Sequence, residues 1–575
     1  MAGERKKTVP RVIGSRSKRA KRPSRGAAKR PKRVKRASRA ANGIGVHIDE
    51  KSRRELIFGV VVPLGVDKDV IEKSLRKALS LANYKLKRIK ISEWLEQFSG
   101  SSAAIKDATS IERKRLLMNA GDRVRSQWSE FTNSTRGDAA ALAAIAAIQE
   151  EREKINRANK IKLVGDEHYA TVPLDSYAFL VDSLKHPDEL ERLRRVYGPA
   201  FISIGVYAPI IARITSLEMD AVSDEEREMI PDLMRRDENA DENLGQKVGD
   251  AFFATDYIID TTDDQLDVLR NLERLVHLLF GDAFRTPSRN ELGMFLARAA
   301  QVRSGSMARQ IGAAILRSDG SVVGVGTNEV ARPISGGQYW PPDDATYAGR
   351  DMVYKNVDGN IRDSSDAFRE LMVRDILDRL AKSGALISDL ADLGAAERVE
   401  KLYYELDGPL RKAKVRENID YVRAVHAEAS ALLDSARHGV AVHGTTMYTT
   451  TFPCHECARH IVAAGVADVV YLEPYPKSGT GTLYRDSVSV DPSIKEKSLR
   501  VPFKTFVGVA PPRYLEFFSI LPSRRKDTHG FKKPFDIRNE APLLPYYTPT
   551  PTAAATAETL ELSPFSAFTE EFLNK

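Results

Sequence analysis

The 575-residue chain contains two cysteines, and both stand in Pro453-Cys454-His455-Glu456-Cys457, with Cys454 following His426-Ala427-Glu428 by 26 residues past the glutamate. Two thiolates and one neutral imidazole give Zn²⁺ three ligands and leave a fourth tetrahedral position for water, the arrangement of a catalytic and not of a closed structural site. Zinc lowers the pKa of bound water to about 7, so a hydroxide nucleophile exists at neutral pH. Glu428, two residues beyond the histidine, is not needed as a ligand and is free to carry protons. A four-cysteine knuckle is excluded because the chain has no second cysteine pair. A redox pair would leave the upstream His-x-Glu unexplained. With three ligands already supplied, His455, Glu456 and His460 read as ordinary helix residues.

Elements of definite type must hold these groups. His426 to Arg437 is rich in helix formers, whereas Thr445-Thr-Met-Tyr-Thr-Thr-Thr451 is β-branched and aromatic and runs into Pro453. Pro453 fits the first turn of a helix on which Cys454 and Cys457 share one face. Asp468-Val-Val-Tyr-Leu472 reads as the next buried strand. Upstream, a helix from Glu291 to Arg303 leads into Ile311–Leu316 and Ser321–Gly326, two strands joined as a hairpin by Ser318-Asp-Gly320. Thr327-Asn328-Glu329 follows, placing a side-chain amide where it could read a base or a sugar edge.

Composition divides the chain. Residues 1 to 40 hold 17 Lys and Arg against one acid, Glu4, a net +16; the whole chain is +9, so residues 41 to 575 carry −7. The basic stretch, here bounded at 1–45, has almost nothing apolar to bury and reads as a disordered tail, either an arm that attracts a polyanion such as an inhibitory RNA or a solvated tail with no specific partner. It lacks the apolar core of a signal peptide, and the chain has no 18-residue apolar run to span a membrane. Two cysteines in a chain of this size point to a reducing cytoplasm.

Residues 50–280 alternate strand and helix. Arg54 to Pro63 is a strand-like run, Asp69 to Leu79 is helical, and Lys85–Ile91, Tyr177–Asp182 and Phe201–Tyr207 are further strands, with a helix from Pro187 to Tyr197. The pattern predicts a mainly parallel, doubly wound α/β sheet. A phosphate-binding loop is expected after its first strand, but the match is poor. Gly59 and Gly65 are one residue too far apart, Val66-Asp67 stand where Lys-Ser/Thr belong, and Lys68 is displaced. The reading is a degenerate P-loop, with Asp182 as a strand-end aspartate. Residues 285–540 form the second domain, interrupted by a helical, charged insertion over 341–420 that covers a site or carries a homo-oligomer contact. The Pro- and Thr-rich stretch within 541–575 reads as a flexible tail.

The residues resemble a known family. His426-x-Glu428 with Pro453-Cys-x-x-Cys457 is the signature of zinc nucleobase deaminases. With Arg303-Ser304, Arg309-Gln-Ile-Gly-Ala-Ala-Ile-Leu316 and Gly326-Thr-Asn328, it resembles the deoxycytidylate deaminases. A kinase-like half carrying Ser183-Leu-Lys-His-Pro187 and Gly245-Gln246, fused to a deaminase carrying Glu473-Pro-Tyr-Pro-Lys-Ser478, is similar to the bacterial anti-phage dCTP/dCMP deaminases. The resemblance implies a cytidine-deaminase-like α/β/α domain with a mixed sheet. It implies zinc held by His426, Cys454 and Cys457, and Glu428 as proton shuttle. Asn328, Arg303, Arg309, Tyr475 and Lys477 become substrate contacts, and the reaction is dCTP or dCMP to the uracil nucleotide during infection.

Two other functions compete. A polynucleotide deaminase would hold RNA or DNA with the basic arm and flip the target base into the pocket, but residues 1 to 41 contain no aromatic to stack on single strands. A regulatory nucleotide-binding protein with a dead site is opposed by the intact ligand set and Glu428. An active enzyme of this kind would harm its host unless the kinase-like half and the insertion restrained it.

Overall fold

The computed structural model describes residues 55–98, 102–163, 168–240, 244–261, 265–334, 336–340, 355, 359–474, 478–492, 499–543 and 551–573. The basic stretch 1–45, Tyr475 and Lys477 therefore lie outside the described residues.

The first sheet is built around β1 (Leu56–Val61), whose unbroken apolar run is buried on both faces, as a central parallel strand requires. Around it lie β2 (Lys85–Lys90), β3 (Tyr177–Leu184), β4 (Phe201–Tyr207) and β5 (Tyr257–Asp260), in the spatial order β5-β4-β1-β3-β2 and all parallel. Helices cover both faces: Lys68–Ser80 and Gln265–Leu279 pack on one, and the alanine-rich helix Ala139–Ala158 on the other. The doubly wound expectation holds for this sheet. β5, too short to stand out from periodicity, escaped the sequence reading.

The second sheet contains β6 (Gly312–Leu316), β7 (Val322–Thr327), β8 (Thr446–Thr451), β9 (Asp468–Glu473), β10 (Val488–Val490) and β11 (Val501–Thr505), in the order β10-β11-β9-β8-β6-β7. β6 pairs antiparallel with both β7 and β8, while β8, β9, β11 and β10 run parallel, so the sheet is mixed and the predicted hairpin is present. The insertion forms its own small core from Val373, Leu377, Val399, Leu402 and Tyr403, centred on the helix Ser364–Lys382.

The sheets are not separate bodies divided near residue 280. Three residues after the start of Thr505-Phe506, the chain enters β12 (Gly508–Val509), which pairs antiparallel with β5 of the first sheet. Ile57, Val61 and Phe201 of the first sheet share one apolar core with Ala314, Leu316 and Tyr448 of the second and with Met294 of the helix Arg289–Gln301, and Phe506 is buried in the same core.

The flexible tail expected over 541–575 is corrected by the helix Pro551–Leu573, which packs on Ala139–Ala158. Phe565 and Phe568 meet Trp128 edge-on at ring distances of 5.6 and 5.3 Å. Glu558, fully buried, takes a bidentate pair from Arg152 at 2.8 and 2.9 Å, and the same guanidinium binds Glu55 through Nε.

Gly59 lies inside β1, where an added Cβ would meet Leu184 Cδ1 at 2.7 Å and Phe201 at 2.8 Å, so its role is packing and not a phosphate turn. Gly65 does occupy the turn after β1, at φ +91°, which favours glycine. Asp182 is engaged by Arg88 at 2.5 and 2.9 Å and by Lys68 at 3.3 Å.

Candidate active site

Two helix N-termini converge. His426 is the N-cap of the helix Ala427–Arg437, with extended φ/ψ of −61° and 149°, and Cys454 is the N-cap of His455–Ala463. Pro453 thus stands one residue outside its helix and not in the first turn, because the Cys454 sulfur itself caps by accepting from the Cys457 amide at 3.5 Å. A cysteine at a helix N-terminus gains from the exposed N–H groups and the helix dipole, which favour the thiolate.

His426 Nδ1 lies 3.3 Å from Cys454 Sγ and 3.5 Å from Cys457 Sγ. All three donor atoms fall within 4.8 Å of one another, and among the described residues this is the one His/Cys/Asp/Glu group compact enough to hold a metal ion. His455, Glu456 and His460 are not part of it. Cys454 is held down to about 4 by the hydrogen bond from Cys457 and by His426, while the same bond and burial push the Cys457 thiol well up. His426 is raised, chiefly by its bond to Cys454. Two sulfurs and a nitrogen, one sulfur already favouring the thiolate, fit zinc with one position left open.

Glu428 is 3 % exposed, and burial raises its pKa. Its Oε2 sits 3.4 Å from Cys457 Sγ, and Oε1 is 3.2 Å from the Thr449 hydroxyl of β8. Thr449 went unrecognised in the sequence, where Thr445 to Thr451 carried only a strand signal. Its alternation with Tyr448 was the available clue that one hydroxyl faces the site.

Close backbone contact fixes the helix that carries His426 and Glu428. A Cβ on Gly326 of β7 would lie 2.1 Å from Ala427 O and 2.4 Å from Ala431 N. The residue before His426 is tied down as well, since Glu329 and Val425 exchange backbone hydrogen bonds of 3.3 and 3.0 Å. On the second cysteine loop, the Ser478 and Thr480 hydroxyls donate to Pro453 O at 2.9 and 3.0 Å.

Of the candidate substrate contacts, Asn328, Arg309 and Arg303 are among the described residues. Asn328 is buried, and its amide holds the loop before β6: Oδ1 accepts from Ile311 N at 2.6 Å and Nδ2 donates to Arg309 O at 2.7 Å. Arg309, half exposed, forms an ion pair with Glu473 at the end of β9, beside the Pro453 loop. Arg303 lines a cavity of about 580 Å³ together with Ser430, Leu433 and Arg437 of the helix Ala427–Arg437, a lining that includes neither cysteine.

Residues 287–473 match the cytidine and deoxycytidylate deaminase zinc-binding region. All four groups, His426, Glu428, Cys454 and Cys457, fall inside that span. The chain is 44 % identical over 57 residues to a deoxycytidylate deaminase of Enterobacteria phage T4, covering 10 % of this chain and 30 % of that protein. It is 38 % identical over 91 residues to a probable deoxycytidylate deaminase of Drosophila melanogaster, covering 14 % and 43 %. The chain thus spans under half the length of these relatives. Among solved structures, the dCMP deaminase of cyanophage S-TIM5 in complex with dCMP and dUMP is similar at 16 % identity and a TM-score of 0.20, covering 38 % of this chain and 98 % of that one. Among the described residues no helix is long and apolar enough to cross a membrane.

Proposed function

We propose that this protein is a zinc-dependent hydrolase that deaminates deoxycytidine nucleotides, converting dCTP or dCMP and water to dUTP or dUMP and ammonia. The observation that carries the reading is the compact His426, Cys454 and Cys457 donor set with the buried Glu428 carboxylate 3.4 Å from one sulfur. Zinc held there supplies water activation at neutral pH. Glu428 takes the proton of the attacking water, passes it to the ring nitrogen beside the carbon under attack, and protonates the departing amine. Burial suits it to this work, since a carboxyl raised toward neutral pH both accepts and returns a proton. Arg303, Arg309 and Lys477 answer the phosphates, Tyr475 stacks on the ring, and Asn328 shapes the loop beneath the sugar.

The role we assign is depletion of the deoxycytidine nucleotide pool during phage infection. It rests on the resemblance of the two-part architecture to anti-phage deaminases. The parallel order β5-β4-β1-β3-β2 supports a kinase-like first half with a degenerate P-loop, restraining a cytoplasmic, homo-oligomeric enzyme, and the basic stretch 1–45 is the proposed seat of an inhibitory RNA. Purified full-length protein is incubated with dCTP, dCMP, CTP and a cytosine-containing oligonucleotide, and uracil product and ammonia are measured. Equal amounts of both from a deoxynucleotide are expected. Zinc-loaded protein that releases no ammonia from either deoxynucleotide refutes the reading.

A further inference from the structure

A second cavity lies far from the sulfur centre in the chain, at the C-terminal ends of β1 and β3. β1 leads toward β2 at one edge of the sheet while β4 leads toward β5 at the other, and such a reversal is where open parallel sheets take ligands. The cavity measures about 170 Å³. An apolar cavity of roughly 150 Å³ accepts benzene, so there is room for one six-membered ring, and because the cavity is open on one side a substituent on that ring can lie outside it. Its walls are Ile91, Trp94, Leu95, Leu117, Met118 and Val124.

The charges at its rim are paired with one another. Lys185 Nζ donates to Val62 O and to Asp237 Oδ1, each at 2.7 Å, and Asp237 Oδ2 accepts from the Leu64 amide at 2.7 Å. A carboxylate of the protein therefore occupies the loop amide that an incoming phosphate would use, with a lysine already neutralising it. Lys68 faces Asp182, Arg125 faces Glu189, and Lys114 faces Asp220. One polar group breaks the pattern. Gln246 is 5 % exposed and lines the cavity, and its Oε1 has no hydrogen-bond partner among the described residues. A buried acceptor left unmade is costly, which marks the place where a ligand donor belongs. The wall also includes Ser183, held at φ +74°, a strained conformation of the kind retained at binding sites.

We infer that this crevice binds an uncharged pyrimidine nucleoside, its ring between the apolar walls and a ring N–H or exocyclic N–H donated to Gln246 Oε1, and that it excludes the triphosphate. The site is independent of the deaminase reading. The test uses full-length Glu428→Ala protein, so that no turnover intervenes, with thymidine, deoxyuridine and deoxycytidine, their 5′-triphosphates, and deoxyguanosine. A pyrimidine nucleoside at saturation should raise Tm by about 2 °C or more. Gln246→Met should abolish that rise while leaving the unliganded Tm equal or higher, because it removes an unpaired acceptor at nearly constant volume. Tryptophan emission gives a second reading: a nucleoside-induced change should survive Trp340→Phe and vanish in Trp94→Phe. No Gln246-dependent binding by any nucleoside overturns the inference, as does deoxyguanosine or a triphosphate binding more tightly than the pyrimidine nucleosides in a Gln246-dependent manner.

Discussion

Gly326→Ala is the sharpest probe of how the site is positioned. The new Cβ would lie 2.1 Å from Ala427 O, and restoring a separation of 3.0 Å requires the helix Ala427–Arg437 to retreat by about 0.9 Å. The obstacle is backbone on both sides, so no side-chain rotation relieves it. Overpacking of this type costs about 1–3 kcal/mol of stability. The retreat carries His426 away from the two sulfurs and Glu428 away from the reacting carbon, and a 1 Å misplacement costs about 10²-fold in rate. The assay is kcat/KM for dCTP per bound zinc, measured beside Tm. Gly320→Ala is the control. It has φ +86° and open space around it, so it pays only the left-handed penalty of about 1–2 kcal/mol, in a turn remote from the sulfurs. A Gly326→Ala enzyme within threefold of wild type per zinc, or a Gly320→Ala enzyme losing as much rate, would refute the argument.

Four further outcomes are expected. Glu428→Gln should lower turnover by about 10²–10⁴-fold while metal analysis still finds zinc, since the carboxylate moves protons and does not bind the ion. Stripping metal with a chelator should abolish ammonia release and lower Tm, with both restored by added Zn²⁺ and not by Mg²⁺, which takes oxygen ligands. Arg152→Met leaves Glu55 and Glu558 facing each other without their shared cation and should destabilise by about 3–5 kcal/mol at pH 7 in chemical denaturation. The loss should shrink as pH falls toward 5. Glu55 is already raised by burial, and removing the arginine, whose charge lowers it, raises it further, so the stability present below the unfolded pKa of about 4.3 is lost as pH rises through the folded value. Truncating residues 1–45 should leave dCTP turnover intact but weaken retention on a polyanion column, and unchanged retention would remove the basic stretch as a binding arm.

The candidate metal site was legible because its chemistry is local in sequence: His426 and Cys454 sit at N-caps, Cys457 follows in the first turn of the same helix as Cys454, and the strands beside them are short runs of unmistakable type. The same holds for β1, β3 and β4, whose apolar runs are continuous. What the sequence hid is long-range. β12 is two residues long and finds β5 some 250 positions away in the chain, and no periodicity announces such a pair. The helix Pro551–Leu573 was masked by Pro564 within it and by the Thr-Pro repeat before it, although Ala555, Leu562, Phe565 and Phe568 keep a helical spacing whose partner, Trp128, lies far away. Asn328 shows the opposite failure. The sequence offers its amide to a base or sugar edge, but in the fold that amide is committed to the Arg309 and Ile311 backbone, a cost to the substrate role that only geometry reveals.

The joined sheets bear on how the first sheet could act on the sulfur centre. Tyr207, at the end of β4, hydrogen-bonds Asp491 beyond β10, and Asp491 in turn accepts from Tyr471 of β9 at 2.5 Å and from Thr505 N at 2.9 Å. Burial raises the Asp491 carboxyl and the tyrosine hydroxyls that face it, so each member depends on the others for its hydrogen bonds. Tyr471 meets Phe452 edge-on at 4.9 Å, and Phe452 stands two residues before Cys454. A shift of β4 relative to β9 therefore reaches the cysteine loop through the half-buried Tyr207 and Asp491 and the buried Tyr471 and Phe452. Cutting the chain at 285 and 540 would remove the partner of β12, expose Phe506 and unseat this cluster, so a fragment's inactivity would report damage and not loss of an activator. Restraint in this molecule has to be sought in the intact chain, by changing one contact between the sheets at a time.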